Sequence, residues 1–149
     1  MNINYSDKES YMPISFNKEK QIFKLDTPAS TYAFKIWSDG HLTSLYYGAF
    51  VQDDNLDNMR HREGVCASFS PYFATDTWDA SFAPDMTNFE YPTTGVGDYR
   101  LTAFSTRSAE GDTVCDLRYV DHRIFSGKPA LTGLPSSYAD SDSNVTTLE

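Results

Sequence analysis

Most of the residues that would mark a chemistry are scarce in this sequence. It has two cysteines and three histidines in 149 residues. Cys66 and Cys115 are too few for a disulfide scaffold, and they read as reduced thiols of an intracellular protein. His41, His61 and His122 are scattered and show no metal-ligand spacing with either cysteine, so no metal or other cofactor is expected. Basic residues are outnumbered, 12 Lys and Arg against 21 Asp and Glu, for a net charge of −9. A chain of that sign repels phosphate backbones and anionic bilayers, which argues against nucleic acid and membrane partners. No apolar run approaches the roughly 20 residues of a membrane span. The opening residues Met1 to Asp7 contain neither the basic nor the apolar segment of a secretory leader, and the expected location is the cytoplasm.

Motifs are missing too. No window keeps a 3.6-residue apolar period with helix start and stop signals. There is no Gly-x-Ser-x-Gly elbow to present a nucleophile, and no glycine-rich loop joining a strand to a helix to cradle phosphate. Gly95-Val96-Gly97 is too short to serve, and no helix follows it. Carboxylates are plentiful, but none falls in an acid/base motif.

Aromatic residues, by contrast, are abundant: ten Tyr and ten Phe, with 40% hydrophobic residues in all. That suits one folded domain of pleated, half-buried surfaces. Asn17 to Lys20 reads as a turn and Gln21 to Leu25 as a short strand. Asp26 to Ser30 is a breaker cluster. Thr31 to Trp37 alternates, placing Tyr32, Phe34 and Ile36 on one face and Ala33, Lys35 and Trp37 on the other. Asp39-Gly40, a dipeptide that tolerates positive φ at both hairpin positions, then returns the chain through His41 to Tyr47, with Gly48 ending the strand. His41, just after the turn, is expected to be exposed. Residues 49–68 form a long charged loop, and Pro71 and Pro84 confine the stretch between Phe69 and Phe89 to edge strands and loops.

The segment from Asp98 to Tyr138 is the organising one. Two β-prone runs, 98–106 and 113–125, flank Glu110-Gly111-Asp112 and predict a hairpin, with His122 a structural residue in its second strand. Gly127-Lys128-Pro129 and Gly133-Leu134-Pro135 predict an irregular loop. Val145 to Glu149 begins to read as a strand where the sequence stops, as a fragment of a longer chain would. The period-2 runs and glycine turns imply an all-β fold, a twisted antiparallel β-sandwich with little helix. Tyr32, Phe34, Ile36, Leu117 and Tyr119 are expected in its core, where truncating Leu117 would cost several kcal/mol, on the order of 2–5. Rings able to stack on sugar C–H faces, Tyr46, Tyr47, Trp78 and Tyr91, serve equally well as packing residues.

Read in order, the motifs resemble the N-terminal domain of the family 36 glycoside hydrolases, the bacterial α-galactosidases. The residues that carry the resemblance include Ile14 to Glu19, Phe23-Lys24-Leu25, Gly40-His41-Leu42, Leu45 to Gly48 and Arg60 to Glu63. They continue with Glu90-Tyr91-Pro92, Gly97 to Arg100, Asp116 to Tyr119, His122-Arg123-Ile124, Gly127-Lys128-Pro129, Gly133-Leu134-Pro135 and Thr147-Leu148-Glu149. The resemblance implies a supersandwich of the galactose-mutarotase-like kind, packed against a (β/α)8 barrel. In the family that barrel carries the aspartate nucleophile and the aspartate acid/base. A barrel needs about 200 residues or more, so residues 1–149 are expected to be part of the sandwich alone, with the catalytic barrel absent and no catalytic residue.

The resemblance further implies a homo-oligomer, a cytoplasmic location, an α-galactoside substrate for the full enzyme, and the barrel of the same parent chain as partner. Tetrameric members of the family bring a sandwich loop, ahead of a Phe-Ser pair, to a neighbour's active site. Here that pair is Phe69-Ser70, and Gly64-Val65-Cys66-Ala67-Ser68 replaces the stretch that carries the family aspartate. Arg62 and Glu63 are left as the candidate substrate-binding residues. The family's Phe-Ser-Leu-Asp is altered to Phe82-Ala83-Pro84-Asp85, which sets a proline in a strand. Two other classes of function fit the same residues: a free-standing carbohydrate-binding module, or a structural interaction domain.

Overall fold

The computed structural model describes residues 13–59, 87–95, 100–137 and 145–149. These residues are all-β, with every pair of strands antiparallel, one isolated parallel bridge between Thr93 and Phe104, and no α-helix among them. No helix among the described residues is long and apolar enough to cross a membrane. Four strands, β1 (Ile14–Asn17), β2 (Ile22–Asp26), β3 (Ser30–Ile36) and β4 (Leu42–Ala49), form a meander in which sequence neighbours pair. A second sheet pairs β5 (Ile124–Ser126) with β6 (Thr146–Leu148), Ile124 opposite Leu148.

The turns follow from their residues. Between β1 and β2, the Asn17 side chain accepts from the Lys20 amide at 3.0 Å. Between β2 and β3, the Thr27 hydroxyl accepts from the Ser30 amide at 2.9 Å, and Pro28 fixes the first central φ. The β3–β4 turn is larger than the two-residue turn that Asp39-Gly40 suggests. Gly40 donates to the Trp37 carbonyl and Trp37 to the His41 carbonyl, both at 2.8 Å, and of the pair only Gly40 adopts positive φ, at 92°. That is the three-residue connection in which a type I turn is followed by a left-handed glycine.

Alternation works as expected on β3, and it separates two faces. On one face Ile22, Ala33, Leu45 and Leu56 make the most deeply buried cluster. A bulge delivers Leu45 to it: Ala33 pairs with Tyr46 and Phe34 with Ser44, so Leu45 is the extra residue of β4. The start of the long loop covers this face. Val51 donates its amide to the Thr31 hydroxyl at 3.0 Å, Lys24 bonds Asp54 at 3.2 Å, and Lys35 pairs with Asp57 in a single turn of 3-10 helix (Asp57–Met59). Residues 49–59 are therefore part of the core's cover, and 60–68 lie outside the described residues.

The other face is aromatic. Phe16, Phe23 and Phe34 stack in succession across β1, β2 and β3, with centroids 4.4 and 4.9 Å apart. His122 meets Phe16 and Phe23 edge-on at 4.6 and 4.7 Å, a packing role, although it lies in irregular backbone just ahead of β5.

The organising hairpin needs correction. Its turn forms: Gly111 donates to the Ser108 carbonyl at 3.1 Å and has φ of 90°. Its arms do not pair with each other among the described residues. Ala103 donates to the Pro92 carbonyl at 3.0 Å, Cys115 to the Thr94 carbonyl at 2.9 Å and Tyr119 to the Gly40 carbonyl at 2.8 Å. Residues 92–94 thus take a bond from each arm, and a turn signal cannot reveal that a third segment satisfies the arms. The expected core changes with it. Ile36 is buried, Tyr32, Phe34 and Tyr119 are half-buried, and Leu117 is 45% exposed.

Candidate binding cavity

The aromatic face of β3 and β4 is partly roofed by residues 89–93 and 117–119. Backbone bonds fix the first of these. Ser44 donates to the Asn88 carbonyl at 2.8 Å and Glu90 to the Leu42 carbonyl at 3.0 Å, so 88–90 extends the sheet beside β4. Between sheet and roof lies a cavity of about 480 Å³, within the usual size range of small-molecule sites.

Tyr32, Phe34 and Tyr119 supply ring surface to its walls, and Tyr91, 53% exposed, stands at its rim with its ring 6.2 Å from that of Phe104. Besides the tyrosines, four polar or charged side chains belong to the lining: Glu90, His41, Arg118 and Thr93. The Tyr32 hydroxyl donates to Glu90 Oε2. Burial, and then the neighbouring Glu90 carboxylate, push the Tyr32 hydroxyl well above its ordinary pKa. Glu90 Oε1 is buried and has no hydrogen-bond partner among the described residues.

His41 is buried, against the expectation of exposure, because its ring sits between two carboxylates. Nδ1 lies 2.8 Å from Asp39 Oδ2 and Nε2 lies 2.6 Å from Asp116 Oδ1. The doubly protonated imidazolium is the form that donates to both. Burial opposes that charge, but the bonds to Asp39 and Asp116 outweigh it and raise the His41 pKa. Burial likewise opposes the Asp39 and Asp116 charges, and is outweighed: the His41 bonds lower the Asp39 pKa, and the Arg118 and His41 bonds lower that of Asp116. Arg118 completes the cluster, donating from Nε to Asp116 Oδ2 at 2.8 Å and from a terminal nitrogen to the Asp39 carbonyl at 3.0 Å.

The residues singled out from sequence fare unevenly. Arg62, Glu63 and Trp78 lie outside the described residues. Tyr46 is on the opposite face, its hydroxyl donating to the Ala49 carbonyl at 2.9 Å. Tyr47 is 79% exposed and meets Tyr32 edge-on at 6.1 Å. Of the three rings among the described residues, Tyr91 lines the cavity and Tyr46 and Tyr47 do not. Sequence reasoning missed Glu90, His41 and Arg118. A signal existed for two of them: Asp39 and His41, like Asp116 and Arg118, are opposite charges two apart, which share a face in extended chain. Among the described residues, no group of three His, Cys, Asp or Glu side chains could hold a metal ion. Cys115 carries a free thiol.

An antiparallel sandwich piece carrying one mixed aromatic and polar cavity defines a class of β domain, and comparison with known proteins narrows it. The family model for the glycosyl hydrolase family 36 N-terminal domain matches residues 40–149. Alpha-galactosidase AgaA of Geobacillus stearothermophilus is 34% identical over 138 residues, which is 93% of this chain and 18% of AgaA. The crystal structure of AgaB, a GH36 α-galactosidase from the same organism, superposes with a TM-score of 0.76 at 32% identity, covering 92% of this chain and 18% of AgaB. The structure of the α-galactosidase from Lactobacillus brevis gives a TM-score of 0.77 at 29% identity, over 91% of this chain and 18% of that one. This chain belongs to the glycosyl hydrolase family 36 N-terminal domain family, and the antiparallel β-sandwich expected from its sequence is the fold it has. It spans 18% of the length of AgaA.

Proposed function

We propose that this chain is the non-catalytic N-terminal domain of a larger, retaining α-galactosidase, that it supports the catalytic barrel and a homo-oligomer of that enzyme, and that it works in the cytoplasm. The observation that carries the reading is the asymmetry of coverage: 92% of this chain aligns with 18% of a solved α-galactosidase. The chemistry of the described residues agrees. Retaining hydrolysis needs two carboxyl groups facing each other about 5–5.5 Å apart across the scissile bond. Asp26 and Asp54 are held by Lys24, Asp57 by Lys35, Asp39 and Asp116 by His41, and Glu90 by Tyr32. Asp116, Asp54, Asp57 and Glu90 in this way tie segments distant in sequence, while Asp39 braces its own turn. The free thiol of Cys115 suits a reducing compartment.

The same reading gives Arg62 and Glu63, ahead of Phe69-Ser70, a part in shaping the galactoside site of a neighbouring subunit. The test is assembly. This chain, co-expressed with the barrel portion of AgaA stripped of its own N-terminal domain, should co-elute with it on size exclusion. Separate elution of two folded components would count against the supporting role.

A further inference from the structure

We infer that the cavity between the aromatic face and residues 89–93 and 117–119 is a binding site for a neutral saccharide ring, with Tyr91 as its stacking platform and Arg118 at its polar end. Neither the barrel nor any catalytic role enters this inference, which concerns this chain alone.

Three observations carry it. The first is composition. A cavity of about 480 Å³ presents the rings of Tyr32, Phe34, Tyr91 and Tyr119 beside a few polar groups. Ring faces meet the C–H faces of a pyranose, while the polar groups serve its hydroxyls. The second is the exposure of Tyr91. A ring that is 53% exposed at a cavity mouth packs less than it could, and its free face is available to a ligand. The third is Arg118. It is a wall residue whose side chain is 35% exposed, so a guanidinium edge with N–H donors lies within a ligand's reach among the rings.

Charge selects among ligands. A carboxylate among rings could also hold an amine, through cation–π attraction. Here His41 and Arg118 are paired with Asp39 and Asp116, and Glu90 has one oxygen bonded by Tyr32 and the other closed to solvent, so an ionic ligand finds no open counter-charge in the lining. A neutral ligand suits such a wall, and a polyol ring has C–H faces for the rings and hydroxyls for the polar edge at the right scale.

The experiment is a titration of the isotope-labelled chain, followed by amide chemical shifts, with methyl α-galactoside, methyl α-glucoside and methyl α-mannoside. Tetramethylammonium and glucuronate serve as charged probes. Saturable shifts centred on residues 89–93 and 117–119 are expected with at least one neutral glycoside, in the millimolar range typical of a small site with few contacts. Tyr91→Ala, at an exposed position, should weaken binding at least tenfold with the melting temperature unchanged. No saturation with any of the three glycosides would overturn the inference. So would saturation that Tyr91→Ala leaves intact, or tighter binding of either charged probe.

Discussion

The His41 ring is held between Asp39, two residues away in sequence, and Asp116, 75 residues away, with both ring nitrogens within 2.8 Å of a carboxylate oxygen. The local partner belongs to the β3–β4 turn and the distant one to the segment that roofs the cavity. Arg118 reaches the Asp39 carbonyl and the Tyr119 amide reaches the Gly40 carbonyl, so one buried histidine sits where turn and roof are tied together.

This tie should make stability depend on pH in both directions. The His41 pKa is raised from 6.5, so its contribution is complete below pH 6.5 and is lost as pH rises through the folded value. Asp39 and Asp116 are lowered from 3.8, so theirs is present above pH 3.8 and is lost as pH falls through their folded values. Melting temperature should therefore be highest between these limits. In His41→Gln the decline on the alkaline side should flatten. A variant whose melting profile parallels that of the parent from pH 5 to 9 would show that His41 is not charged in the fold.

Phe23 and Leu117 should respond very differently to truncation. Phe23 is 2% exposed and stacks between Phe16 and Phe34. Phe23→Ala should cost about 3–5 kcal/mol. Leu117, 45% exposed, should lose no more than about 0.5 kcal/mol when changed to Ala. Denaturant midpoints measured side by side test the contrast, and equal losses would contradict the placement of Leu117.

Lys24 is a buried cation whose two carboxylate partners differ in exposure. Its side chain is 5% exposed, that of Asp26 11% and that of Asp54 70%. Burial pulls the Lys24 pKa down, but the bonds to Asp26 and Asp54 more than restore it. Lys24→Ala leaves Asp26, 11% exposed, with the Thr31 hydroxyl as a donor but without a counter-ion, and should cost about 3–5 kcal/mol. Asp54→Ala removes an exposed partner and should cost less than about 1 kcal/mol. Urea unfolding of both variants separates the two, and a more damaging Asp54→Ala would reverse the ranking.

Gly40 is required for its backbone. Its φ of 92° lies in the left-handed region, and a Cβ there would sit 3.3 Å from the Arg118 Cβ. Gly40→Ala should cost at least about 1–2 kcal/mol and loosen the Arg118 bond to the Asp39 carbonyl. An unchanged melting temperature would mean the turn can be redrawn.

The parts of the fold written in local chemistry were legible. Thr27 and Pro28, Asp39 and Gly40, and Gly111 mark turns whatever surrounds them, and the alternation from Tyr32 to Ile36 sorts the two faces of β3. The bulge at Leu45 was not legible, because it depends on a register set by β3. Nor was the fate of the two arms around Gly111, whose backbone groups go to Pro92 and Thr94. The same lack of long-range information hid the cavity. Glu90 gains its role from Tyr32, 58 residues away, and His41 from Asp116, 75 residues away. Tyr91 could be named as a stacking ring because side-chain chemistry is a local property. Which face Tyr46 occupies depended on the bulge.

The most direct measurement of the central claim is hydrolysis of p-nitrophenyl α-galactoside by the purified chain. The account predicts release of nitrophenol no faster than the buffer blank, because Asp26, Asp39, Asp54, Asp57, Glu90 and Asp116 are bound to lysine, histidine, arginine or tyrosine in structural roles. Turnover that follows the chain through purification, and is lost on mutating one of its own carboxylates, would contradict it.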